Sequence, residues 1–230
     1  MKRNLMLLAL AGAVITVPSA NAAICSDANN CTFTFDVHNS GSTGFGSGTF
    51  GTLNLVLSGG AINATIDLAD GYRLISTGFP GAFGFNDTIG GGITVTNFSS
   101  PLYSLYEGNT TGGDEHFNGF GFFDDVAATT APGANDVNAV NVLSFTINRT
   151  SGSFTSIQQL VALSDLPAGD GRVYFTADVF KFAGCTDQAC TGLIGVSGNT
   201  PSVPEPVTSG LVGTGLISLF FLRRRFVSKA

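Results

Sequence analysis

Residues 172–182, RVYFTADVFKF, alternate Val173, Phe175, Ala177 and Val179 against Tyr174, Thr176, Asp178 and Phe180. A period of two belongs to an extended chain, whose successive side chains point to opposite faces of a sheet. Both sets are partly apolar here, which predicts a strand covered on both faces and therefore central in its sheet.

Shorter alternating runs surround it: CTFTFDV at 31–37, LNLVLS at 53–58, ITVTNF at 93–98 and VLSFTIN at 142–148. In the first, Phe33, Phe35 and Val37 oppose Thr32, Thr34 and Asp36; in the last, Leu143, Phe145 and Ile147 oppose Ser144, Thr146 and Asn148. Each has one face for a core and one for water. Turn-forming clusters separate the runs: SGG at 58–60, ADG at 69–71, IGGG at 89–92, NTTGGD at 109–114 and PAGDG at 167–171. The pattern predicts an all-β fold, mainly an antiparallel β-sandwich or jelly-roll-like, over alternating β and α units. Residues 154–165, FTSIQQLVALSD, carry the signals of one short helix, with Ser156 as cap and Ile157, Leu160 and Val161 at helical spacing; an edge strand fits nearly as well.

Glycine and phenylalanine recur together in GFGSGTFG (44–51), GFPGAFGF (78–85) and FNGFGFFDD (117–125). Phenylalanine supplies core and glycine permits bulges and close approach of sheets, and without a fixed period neither a solenoid nor a propeller is expected. The Asn-x-Ser/Thr triplets at Asn63, Asn86, Asn97, Asn109 and Asn148 read as polar turns and wet strand faces.

The formal net charge of the 230 residues is −6, and it is sharply segregated. Lys2 and Arg3 at the start, and Arg223, Arg224, Arg225 and Lys229 at the end, have no acidic residue beside them. The body between keeps four cationic side chains against sixteen carboxylates, −12, a field that repels nucleic acid and anionic lipid. No nucleic-acid partner is expected.

Residues 1–22 open basic, run apolar from Leu5 to Val17, break at Pro18 and close on Ala20 and Ala22 in a small-x-small cleavage pattern. This is the pattern of a signal peptide, a helical leader brought through the Sec translocon and removed by signal peptidase. At the other end, a Pro-rich linker (199–206) carries Pro204, Glu205 and Pro206, an apolar run follows from Val207 to Leu222, and Arg223, Arg224 and Arg225 close it. As a helix that run covers about 24 Å at ~1.5 Å per residue, short of a bilayer core of about 30 Å, so a transient stay in the inner membrane is expected. The arginines hold the C-terminus cytoplasmic and leave the Pro-Glu-Pro segment on the far face, extended and open to a protease.

Residues 203–226 resemble the PEP-CTERM sorting tail, which combines a Pro-Glu-Pro motif, an apolar helix and an arginine cluster and is recognised by exosortase in Gram-negative bacteria. The resemblance implies that Val203, Pro204, Glu205 and Pro206 carry a sorting signal, that residues 207–230 are removed, and that the body (23–198) reaches the surface, where such proteins accompany exopolysaccharide and biofilm. The body is also similar to unnamed members of that group in its Gly/Phe-rich middle and its late FTADV (175–179) with Thr191 and Gly192.

Cys25, Cys31, Cys185 and Cys190 form two local pairs, and in an exported chain they predict Cys25–Cys31 and Cys185–Cys190 disulfides, with zinc as the alternative. With only His38 and His116, little imidazole is available for catalysis or metal binding. The polar stretch GGDEHFNGFGFFDD (112–125) reads as a solvated hairpin flanked by acids; Asp114, Glu115, Asp124 and Asp125 are its weak calcium candidates, in a spacing that matches no named calcium loop. DLPAGD (165–170) reads as a turn. No catalytic residue and no cofactor is assigned, because no P-loop, GxSxG or HExxH pattern occurs.

Three functions follow as expectations: a non-enzymatic surface or matrix protein; a carbohydrate-binding sandwich stacking sugars on Tyr72, Tyr103 or Tyr106; and a glycan hydrolase pairing Asp124 with Asp114 or Glu115.

Overall fold

The computed structural model describes residues 25, 27–42, 44–76, 81–90, 92–103, 115–127, 139–182 and 190–198. The leader, the linker with its Pro-Glu-Pro motif, the apolar tail, Cys185, Asp114 and Tyr106 lie outside the described residues. Among the described residues no helix is long and apolar enough to cross a membrane.

The described chain is all-β, and its strands pair antiparallel. One sheet runs in the order β1 (Asn30–Phe35), β3 (Gly51–Ser58), β4 (Ala61–Leu68), β11 (Val142–Arg149), β7 (Ile93–Thr96). The second runs β10 (Asp125–Ala127), β6 (Phe83–Phe85), β12 (Phe175–Lys181), β13 (Thr191–Gly195), β2 (Val37–His38), with β5 (Tyr72–Leu74) beside the far half of β12. A hairpin of β8 (Glu115–Phe117) and β9 (Gly121–Phe123) completes the set.

The two sheets face each other across phenylalanine. Phe33 of the first sheet lies 4.8 Å from Phe175 of the second, and Phe145 of the first lies 5.7 Å from Phe83 of the second, centroid to centroid. Phe83 and Phe175 are neighbours at 6.1 Å with nearly parallel rings. Each such ring contributes about 1.5–3 kcal/mol by leaving water. The arrangement is a sandwich-like pair of sheets.

Strand β12 sits where the 172–182 alternation placed it. It pairs with β13 on one side and with β6 and β5 on the other, and every residue from Phe175 to Phe180 is buried. Phe175, Ala177 and Val179 join the inter-sheet core, and Phe180 packs outward with Ile75, Ala139 and Cys190. The outer face near Thr176 is covered by the β8–β9 hairpin, whose Phe117, Phe120 and Phe123 pack with Val126, Val173 and Leu193. Glycine makes this approach possible: a methyl group at Gly84 would come within 2.6 Å of Phe117 Cε2 and 3.0 Å of Thr176 Cγ2. The 112–125 stretch is therefore a hairpin, as expected, but not a solvated one, because its phenylalanines are needed to seal the second sheet.

Two other expectations change. CTFTFDV is not one strand: β1 ends at Phe35, and Val37 and His38 join the opposite sheet. Asp36 makes the corner, its N–H donating to Gly195 O at 3.0 Å and its carboxylate accepting Ser197 N at 2.8 Å and Ser197 Oγ at 2.5 Å. Residues 61–68, AINATIDL, form a full strand paired with β3 through a two-residue turn. Gly59 and Gly60 in that turn have φ of 61° and 83°, the left-handed pair that matches strand twist and that glycine adopts without strain.

Within 154–165 the helical expectation shrinks to a 3-10 turn at Ile157–Leu160, with Ser156 as N-cap and Gln159 completing a capping box. The turn holds the N-terminal segment: Gln158 Nε2 donates to Cys25 O at 3.0 Å, and Ile157 N to Ala28 O at 2.9 Å. The expected Cys25–Cys31 disulfide is present, with Cα atoms 5.7 Å apart, and Cys190 is disulfide-bonded too, its expected partner Cys185 lying outside the described residues.

Two stability changes follow. Phe175→Ala is expected to lower unfolding free energy by about 3–5 kcal/mol in urea melts, because it empties the contact between the sheets; a loss under 1 kcal/mol would mean the sheets are not sealed there. Removing the Cys25–Cys31 bridge with the double change to Ser is expected to cost about 2 kcal/mol, the chain-entropy value for so short a loop.

Candidate functional site

Two places gather polar chemistry. The first is the outer face of the five-stranded sheet, built by the outward residues of β1, β3, β4, β11 and β7. The register aligns Thr32, Asn54, Thr65 and Ser144 in one row, and Asn63, Thr146 and Thr96 in the next. Adjacent strands lie about 4.8 Å apart, so neighbouring side chains reach one another. Asn54 Nδ2 donates to Thr32 Oγ1 at 2.9 Å, Thr65 and Ser144 hydroxyls share a bond of 2.9 Å, Thr146 Oγ1 donates to Asn63 Oδ1 at 3.1 Å, and Asn148 Nδ2 to Thr96 Oγ1 at 3.1 Å. Asp67 is the one charged outward position among these strands. The result is a flat, neutral field of amides and hydroxyls on an acidic body, and the Asn-x-Ser/Thr triplets at Asn63 and Asn148 are part of it.

The second place is the end of the six-stranded order where β6 leaves and β10 enters. Pairing sets Asp125 opposite Phe85, on the inner face, so Asn86 and Asp87 lie beside Asp124. Asn86 Oδ1 accepts Asp124 N at 2.6 Å, and Asn86 Nδ2 donates to Leu163 O at 3.1 Å. Asp125 is 2% exposed, and its Oδ2 has no hydrogen-bond partner among the described residues. Burial, with the charges of Asp87 and Asp124 adding to it, raises the Asp125 carboxyl to about 8.

The four calcium candidates thus separate. Asp124 and Asp125 do share a site, Glu115 lies in β8 opposite Phe123, and Asp114 lies outside the described residues. Asp87 and Asn86 were missed, although they directly follow the FGF of β6; only the register shows that they meet Asp124. Among the described residues no three His, Cys, Asp or Glu side chains converge closely enough to hold a metal. Each histidine packs on a ring: His38 lies 5.7 Å from Phe50, and His116 lies 4.6 Å from Phe122. Asp170 belongs to the fold, its Oδ2 accepting Ser40 N at 2.9 Å.

The tyrosines expected to stack on sugars are core residues instead. Tyr72 is buried, donating to Phe45 O at 3.2 Å, and desolvation raises its phenol above the ordinary value. Tyr103 is 2% exposed and donates to Leu74 O at 2.7 Å.

Fold and sites together define an all-β, sandwich-like domain with a neutral hydrogen-bonding face and one buried acidic junction. No protein-family model, no curated protein and no solved structure matches the chain.

The junction makes stability depend on pH. Unfolded, the Asp125 carboxyl ionises near its ordinary value of 3.8; folded, it ionises near 8. Between these values the folded chain holds a proton that the unfolded chain has released, so stability falls as pH rises from about 4 to about 8. In chelator-treated buffer, Asp125→Asn is expected to flatten this slope and to melt higher than the unsubstituted protein at pH 8; equal slopes for the two would contradict the assignment.

Proposed function

We propose that the chain is an exported, non-enzymatic protein of the cell surface or extracellular matrix. In this reading the Sec translocon and signal peptidase handle residues 1–22, the tail rests transiently in the inner membrane, exosortase acts at Pro204–Pro206, and the body associates with exopolysaccharide. The observation that carries the association is the neutral Asn/Thr/Ser face of the five-stranded sheet. Hydroxylated polymers exchange hydrogen bonds with such groups, and the face adds little to the repulsion that a body of −12 exerts on anionic partners. The sorting itself is supported by the order of motif, apolar run and arginines at 204–225.

A carbohydrate-binding module is the second reading, favoured by the same face. Because Tyr72 and Tyr103 are buried, its contacts would be hydrogen bonds along the strands rather than stacking, giving weak single sites that gain strength by repetition along a polymer.

Intact-mass measurement on the protein from its native host tests the sorting. A chain trimmed near Ala22 and near Pro206 in the parent strain, but retaining its tail in a strain without exosortase, is expected; an untrimmed C-terminus in both strains would end the proposal. For the association, Thr65→Asp with Thr146→Asp is expected to reduce co-sedimentation with host polysaccharide severalfold without lowering the melting temperature by more than a few degrees. Full retention by that variant would remove the face from the account.

A further inference from the structure

The junction between β6 and β10 is built from two segments far apart in sequence, and their pairing brings Asp87, Asp124 and Asp125 to one end of the second sheet. Asn86, itself 2% exposed, ties the segments together through its two bonds to Asp124 N and Leu163 O. Asp87 Oδ1 accepts the N–H groups of Ile89 at 2.8 Å and Gly90 at 3.0 Å, which fixes that carboxylate in place. Against these stands Asp125, equally buried, with Oδ2 facing no donor among the described residues.

A buried carboxylate oxygen without a donor costs free energy, and two neighbouring acids increase that cost. A bound cation reverses the sign of both contributions. The donors at hand are oxygens, from carboxylates, an amide and backbone carbonyls, with no thiolate or imidazole among them, which is the ligand preference of a hard ion. Because the acids do not close into a three-carboxylate cage, the ligand set would be mixed: one or two carboxylates with amide, carbonyl and water oxygens. Calcium tolerates such irregular sets, whereas magnesium demands near-octahedral geometry.

We propose that the junction of Asn86, Asp87, Asp124 and Asp125 binds a divalent cation of the calcium class, with Asp125 Oδ2 as the anchoring ligand. The site is independent of the surface reading above, and lies inside the fold rather than on the polysaccharide face.

The test is thermal unfolding by circular dichroism of the purified chain, stripped with EGTA and then returned to calcium chloride, magnesium chloride or sodium chloride of matched ionic strength at pH 7. With extracellular-type affinity in the range of about 10⁻⁴–10⁻³ M, ~10 mM calcium is expected to raise the melting temperature by roughly 3–10 °C, and magnesium by clearly less. Asp125→Asn is expected to stay folded, melting in EGTA at or above the unsubstituted chain, and to lose the calcium response; Asp87→Asn is expected to weaken it. No rise beyond the sodium control, an equal rise with magnesium, or an undiminished rise in Asp125→Asn would each overturn the proposal.

Discussion

The ring of Phe175 touches both halves of the molecule: it lies 4.8 Å from Phe33 across the gap and 6.1 Å from Phe83 beside it in its own sheet. That contact joins the sheets at the middle of β12, and much of the fold is arranged so that this strand can be buried twice. Its inner face needs a flat aromatic partner, which β1 and β11 supply with Phe33 and Phe145. Its outer face needs a cover thin enough to approach backbone, which the β8–β9 hairpin supplies over Gly84 and Gly195. Chain charge is low because the interior takes so much of the surface that a small domain offers.

The two sheets consequently have different exteriors. The second is sealed by phenylalanine and has no broad free face beneath the hairpin. The first keeps its outward residues in water, and these are almost all Asn, Thr and Ser. A neutral surface on a strongly acidic body is a local departure from the charge balance of the chain, and it is the part of the domain best suited to meet an uncharged polymer. The acidic junction has a different character, since it lies within the packed end of a sheet and acts on stability.

Alternation made most of the longer strands legible. Residues 172–182 announced a central strand because both sets of side chains were apolar, and 142–148 and 53–58 announced half-buried ones. The break in CTFTFDV was hidden because Asp36 fits the wet face of a continuous strand as well as it fits a corner; only the bond to Ser197 distinguishes them. The short strands β6, β8, β9 and β10 were hidden for another reason. Three residues carry too little period to read, and their glycines, read as flexible, serve contact with rings instead. The same limit concealed the junction: Asn86 and Asp87 stand nearly forty positions from Asp124, and long-range register, not local pattern, brings them together. Tyr72 and Tyr103 looked like free stacking surfaces because a tyrosine's hydroxyl suits water as well as a buried carbonyl.

Native-state hydrogen exchange followed by mass spectrometry tests the central claim, that doubly buried β12 holds the two sheets together. Amides from Phe175 to Phe180 are expected to exchange only by global unfolding, with opening free energies equal to the value from urea melts, while the β8–β9 hairpin opens earlier. If the β12 amides instead exchanged at lower free energy than those of β3 and β4, the five-stranded sheet would be the independent core and the inter-sheet contact at Phe175 a secondary feature.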